Sequence, residues 1–234
     1  IRLSLVGSEM CIRDRGQWSV RWLHREIIFS QAWRQSSTTP SKTLERDPEN
    51  TYYSRSRRRR LSWESWRDSL LVAAGTLTFD SRGGPGVDPL DPANGTKRTL
   101  YSWIDRQDIP GIVRAFDIAN PDTAVHVRPV TLVPQQGLVM LNSPLVVDAA
   151  KKVASRLEDE SDIPACIEQL WKIVLARSPR SDEIHMVQAW LESAADSPSG
   201  NFGVWPQIAQ ALISTAEFQY LSLIHISEPT RLRR

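Results

Sequence analysis

The sequence predicts a mostly α-helical fold: a helical domain with an irregular central segment, where a few short strands are candidates, followed by a C-terminal helical array. Two observations predict it. Apolar residues recur every three and four positions in 163–174, 184–191 and 208–218, the period of a helix that buries one face. Prolines 110, 121, 129 and 134 break the stretch 98–142 into pieces too short for long helices.

In chain order, Val20, Leu23 and Ile27 share a helical stripe, widened by Trp22 and Ile28, which predicts a helix with a buried face within 16–36. Residues 37–53 are polar, hold Pro40 and Pro48, and read as a loop. Trp63, Trp66, Leu70 and Ala73 predict a second helix, beginning near Arg58 and stopped by Gly75. The run RGGPGVDPLDPANG makes 80–95 the least regular part of the chain. Residues 100–104 and 125–133 are candidate strands or extended pieces. A helix over 144–157 has Pro144 near its first turn. The array follows, with Asp162 as N-cap of the first helix, Ser181 as N-cap of the second, and Pro206 leading into the third through Ile208, Ala211, Leu212, Thr215 and Phe218. Short links make these helices antiparallel neighbours.

The two ends read as foreign. Leu5 to Arg15, LVGSEMCIRDR, is encoded in frame by one DNA string whose reverse complement encodes LSLIHISEPT, the peptide at 221–230. The string resembles a transposon-end sequencing adapter present once in each orientation. Residues 1–15 and 221–234 are therefore expected to be non-native tails around a single domain at 16–220. Cys11 and His225 fall in those tails, leaving Cys166 as the one cysteine of the central part, with no internal disulfide or four-cysteine zinc site.

Net charge is +2, from 29 Lys and Arg against 27 Asp and Glu. Such a balance argues against a nucleic-acid partner or a membrane-surface role, which usually need a clear basic excess. No apolar run is long enough to span a bilayer. There is no Gly-x-Ser-x-Gly elbow, Walker loop or Gly-x-Gly-x-x-Gly fingerprint, and His24, His126 and His185 have no metal-binding spacing. No metal and no cofactor is expected in this stretch. The run Arg57 to Arg60 suits either phosphate contacts or an ion-pair network with Glu64 and Asp68, including an Arg60–Glu64 pair one turn apart; the second reading is preferred. Glu64 and Asp68, four apart, could also share a metal or a proton.

The proline-punctuated centre concentrates polar groups. Asp105, Arg106, Asp117 and Arg128, with His126, are the candidate catalytic residues of a cleft, because functional groups often project from loops on a rigid scaffold. The alternative is that these side chains satisfy backbone groups that no helix or strand pairs. Of nine tryptophans, Trp22, Trp63, Trp66, Trp171, Trp190 and Trp205 lie in or at helical patterns and suit a core. Trp103, in the polar centre, is the one whose exposure would favour carbohydrate stacking.

Several blocks occur in a set order: WSVRWLHREIIFSQAWRQSS, DPEN, RRRRLSWESWRDSLL, RTLYSWIDRQDIPGIVRAFDIANPD, RPVTLVPQQGLVMLNSP, LWKIVLARSPRSDEI and IAQALISTAEFQY. Together, over 16–220, they resemble the planctomycete PSD domain, a domain of unknown function found toward the C-terminus of large bacterial proteins that often carry cytochrome c-like modules. Gly137 departs from the family's usual alanine and places a glycine in an expected helix. The resemblance implies an exported, periplasmic or cell-envelope parent protein. Haem c would sit in its upstream modules, and those upstream domains would be partners of this one. Three functional readings follow: a non-catalytic structural or interaction module, a polysaccharide-active or hydrolase-like domain using the polar centre on a polysaccharide or envelope partner, and an accessory domain to an upstream haem c electron-transfer module.

Overall fold

A computed structural model of the chain describes residues 16–37, 40–79, 84–91, 95–157, 162–194 and 203–221. The chain divides into two compact units, one reaching Arg58 and the other Arg59–Leu221. Parts of the expected loop 80–95, and nearly all of both expected tails, lie outside the described residues.

The first unit holds α1 (Val20–Phe29) and α2 (Ser41–Arg46). Ser19 caps α1, its hydroxyl accepting from the Trp22 N–H at 3.3 Å. Ser30 ends it, donating to the Ile27 carbonyl and accepting from the Trp33 N–H, so the helix is shorter than 16–36. The expected buried face is corrected: no residue of α1 is buried, and Val20, Leu23, Ile27 and Ile28 are exposed. A helical period reports that a face is apolar, and burial needs a second surface to receive it. Helix α2 lies where a loop was expected. It leads into a knot of side chains in which the buried Asp47 carboxylate accepts from the Thr51 and Tyr52 N–H groups at 2.7 and 3.1 Å, and the Asn50 amide donates to the Arg55 carbonyl at 2.8 Å. Arg57 donates to the Glu49 carbonyl.

The second unit begins and ends on a two-stranded antiparallel pair, β1 (Arg59–Arg60) with β2 (Tyr220–Leu221). Helix α3 (Trp63–Ala73) follows, capped by the Ser62 hydroxyl on the Ser65 N–H and closed by Gly75, whose φ of +69° suits a residue without Cβ. The remaining helices are α4 (Gly111–Ala115), α5 (Pro134–Asn142), α6 (Pro144–Ala154), α7 (Ile163–Leu175), α8 (Ser181–Ala194), α9 (Val204–Ser214) and α10 (Ala216–Gln219). The fold is mostly α, as the helical periods predict.

Helix α9 packs most extensively on α6, and also touches α5, α7 and α8; α6 in turn meets α3. Fully buried Ala150 on α6 and Ala209 on α9 let the backbones approach, while Val146, Val153 and Ile213 fill the space beside them. Each such aliphatic side chain contributes about 1.5–3 kcal/mol by leaving water. Trp63 and Trp66, each 1% exposed, join Phe116 in an aromatic group with ring centroids 5.0–5.4 Å apart. Trp171 and Trp205 are buried too, whereas Trp22 is half-buried and Trp190 lies at the surface, against the expected core role for all six.

Local signals placed the starts of α6 and α7. Asp162 caps α7, accepting from the Ala165 N–H at 3.2 Å, and Pro144 opens α6. Ser181 is a correction: it is the first residue of α8, and Glu183 reaches back to the Arg180 N–H at 2.7 Å to close that end. The last predicted helix is broken at Thr215, whose hydroxyl caps α10, and Ala211 is exposed. Of the two candidate strands or extended pieces, neither forms a strand. Residues 99–101 form a 3-10 turn, Ser102 makes one isolated bridge to Val87, and no strand is assigned in 125–133. The backbone at Thr99, Thr131 and Val133 is paired by side chains instead.

Candidate functional site

The irregular centre is pinned to α3, α4 and α5 by polar side chains. Arg67, buried on α3, donates to the carbonyls of Pro89 (2.7 Å), Lys97 (3.1 Å) and Gly95, and to the Thr99 hydroxyl (3.0 Å). Its neighbour Asp68 accepts from the Thr99 N–H and hydroxyl, both at 2.7 Å, and pairs with Arg98. These two side chains take over the role that a strand ladder would play. Burial pushes the Arg67 pKa down, opposed by the charges of Asp68 and Asp88. Buried Gln136 on α5 donates to the carbonyls of Ala115 (2.6 Å) and Thr131 (3.2 Å) while accepting from Arg60 at 2.7 Å.

Arg60 therefore stands before α3, on β1. Its guanidinium reaches Gln136 and the Thr131 carbonyl and lies 5.5 Å from the centre of the Phe116 ring, so the expected Arg60–Glu64 pair is replaced. Glu64 pairs instead with Arg128, at 2.8 and 3.0 Å. Burial pushes the Glu64 carboxyl up, but hydrogen bonds from its own backbone, Arg128 and Ser62 outweigh this and hold it below the usual range. Such a carboxyl is a charged anchor, unlike a general acid, which needs a raised pKa.

Residues 103–122, which include α4, line an open cleft of about 1130 Å³ through Trp103, Asp105, Arg106, Arg114, Asn120 and Asp122 among others. Helix α4 fixes this segment through Val113, with Ile109 and Phe116 on either side, all buried in the core. In the cleft, Arg106 pairs with Asp122 at 2.6 Å, and the Asp105 carboxylate accepts from the Gln107 N–H at 2.9 Å. Asp117, in a left-handed conformation just after α4, accepts from the Thr131 N–H and hydroxyl, both at 2.7 Å.

The five candidate residues thus fall into separate places. Asp105 and Arg106 line the large cleft. Asp117 and Arg128 line a smaller one of about 90 Å³ beside Arg60 and Phe116. His126 lies on the exposed stretch 121–130 and lines neither. Sequence reasoning singled out Trp103 but passed over Gln107, Arg114 and Asn120, whose proximity to it along the chain was the available signal. Among the described residues no group of three or more His, Cys, Asp or Glu side chains could hold a metal ion, and no helix is long and apolar enough to cross a membrane.

The fold and this site define a helical module whose irregular loops are cross-linked onto a helical core and carry an open polar cleft. Residues 11–191 match the model of the family PSD1, a protein of unknown function (DUF1553), and the chain belongs to that family. Helices α9 and α10 lie beyond the matched residues. No curated protein and no solved structure matches the chain.

Proposed function

We propose that this chain is a non-catalytic interaction module of a larger exported, envelope-associated bacterial protein. The observation that carries the reading is the use made of its ionic groups. Asp117 accepts from Thr131, Arg128 pairs with Glu64 and Arg106 with Asp122, so charged groups of the polar centre cross-link its loops. A rigid scaffold presenting loops of fixed shape is suited to recognition.

The experiment is a turnover assay of the purified chain on aryl esters, aryl glycosides and soluble polysaccharides. The expected result is no turnover above that of the heat-denatured protein. Turnover abolished by Asp105→Asn or Asp117→Asn would establish the hydrolase-like reading instead. For the exported, envelope-associated part, the complete reading frame of the source gene is the test, and one without an export signal upstream would overturn it.

A further inference from the structure

We propose that the cleft at Trp103 binds a neutral saccharide chain, with the Trp103 indole as its stacking platform. The assignment rests on the reading of the chain as an interaction module and names what it recognises.

Trp103 is 52% exposed, against 1% for Trp63 and Trp66. An indole left half in water forgoes much of the roughly 1.5–3 kcal/mol that burial of a large apolar side chain provides. The position is nevertheless built. The Trp103 N–H donates to the Val87 carbonyl at 2.9 Å, and Val87 and Ser102 form a bridge. Gly86 makes this approach feasible, because a Cβ there would stand 3.0 Å from both the Cβ and the backbone nitrogen of Trp103. An aromatic group on anchored backbone offers contact area with little ordering left to do on binding.

Along the same cleft stand planar polar groups whose orientation is set by local bonds. Asp105 Oδ1 accepts from the Gln107 N–H, and Asn120 Oδ1 accepts from the Asp122 N–H at 3.0 Å. Those bonds orient both side chains and leave Asp105 Oδ2 and the Asn120 Nδ2 hydrogens to meet a ligand. A pyranose presents C–H groups on its faces, which pack on an indole, and hydroxyls at its rim, which both donate and accept. Carboxylate, amide and guanidinium together supply both halves of that hydrogen-bonding pattern.

Charge selects among ligands. Asp105 and Asp122 balance Arg106 and Arg114 in the lining, and the Arg106–Asp122 pair is already closed. A phosphorylated, sulfated or uronic acid ligand would meet a carboxylate for every cation, whereas a neutral sugar meets no net field. The volume of about 1130 Å³ exceeds the roughly 300–1,000 Å³ of compact small-molecule pockets, and the cleft is open to solvent. Those dimensions suit several linked sugar rings better than one compact molecule.

The test is isothermal titration of the full chain with cellohexaose, xylohexaose, mannohexaose, maltohexaose and chitohexaose, with hexagalacturonate as the charged counterpart. Saturable binding of at least one neutral hexasaccharide is expected, insensitive to added salt. Trp103→Ala should weaken it about tenfold or more, the scale of one lost aromatic platform, with an unchanged far-UV circular dichroism spectrum. Asn120→Ala should weaken it as well and serves alone if the tryptophan variant does not fold. Leu138→Ala, on exposed α5 surface outside the cleft, should leave it unchanged. Binding to none of the neutral sugars, preference for hexagalacturonate, or full binding by the folded Trp103→Ala protein overturns the assignment while the module reading stands. Cleavage of a bound hexasaccharide has the opposite outcome: the site stands and the non-catalytic reading falls.

Discussion

Arg177 grips Glu183 through two parallel bonds, Nη1 to Oε2 at 2.7 Å and Nη2 to Oε1 at 2.5 Å, and with its remaining edge it grips Glu217 on α10 at 2.7 and 2.8 Å. One guanidinium thus joins the turn between α7 and α8 to the C-terminal end of the unit. The Trp171 indole also donates to Glu183, at 3.1 Å, so the carboxylate is held from three sides. Planar bidentate pairing of this kind is specific to arginine and would not survive exchange for lysine.

A pH dependence follows. The Arg177 hydrogen bonds hold the Glu183 carboxyl at about 2, below its ordinary 4.5, and the Glu183 and Glu217 bonds raise the Arg177 pKa. Because the folded pKa is depressed, the stabilisation is fully present above about 4.5 and is lost as pH falls from there toward 2. Thermal melts across that window should show the wild type losing stability faster than Glu183→Gln. Parallel curves for the two proteins would show that the clamp does not contribute.

Removing Arg67 should be severe. Arg67→Met leaves the carbonyls of Pro89, Gly95 and Lys97 without their donor, and each buried acceptor so stranded costs about 1–3 kcal/mol. A loss of at least about 3 kcal/mol in urea unfolding is expected, with Arg67→Lys recovering part of it. A change near zero would mean that water replaces the guanidinium at little cost.

Gly137→Ala should stabilise. Gly137 lies inside α5, and a Cβ there would meet nothing within 4 Å among the described residues. Alanine therefore gains the helix about 0.5–1 kcal/mol without a clash. Chemical denaturation of the variant and the parent protein measures this directly, and a lower midpoint would contradict it.

The outer face of α1 should tolerate charge. Ile27 is 43% exposed, so Ile27→Glu should alter the melting free energy by no more than about 0.5 kcal/mol. A core position, as the helical stripe alone suggests, would instead lose several times that amount. Circular dichroism melts of the two proteins separate these outcomes.

How far the sequence could be read depended on distance along the chain. The Trp63, Trp66, Leu70 and Ala73 stripe, its Gly75 stop, the Asp162 cap and the Pro144 start are legible, because each depends on residues within one or two turns, although the helix starts at Trp63 and not near Arg58. The buried alanines that seat α9 on α6 lie 59 positions apart, at Ala150 and Ala209, and periodicity marks their faces without matching them. The polar centre shows the same limit. Its composition identifies a stretch in need of side-chain partners, but not that Arg60 would skip Glu64 for Gln136, or that Arg128 would take Glu64 instead.

The helical periods, the Asp162 cap and the Gly75 stop were thus determined by the sequence itself, since a backbone hydrogen bond four residues away is satisfied locally. Only the tertiary structure decided which apolar faces found partners, leaving α1 exposed and α6 enclosed, and which of the polar residues came to share the cleft at Trp103. The reason is that contacts between distant segments form by exclusion of water and by competition among many acceptable partners, and that competition is resolved by the packing of the whole unit.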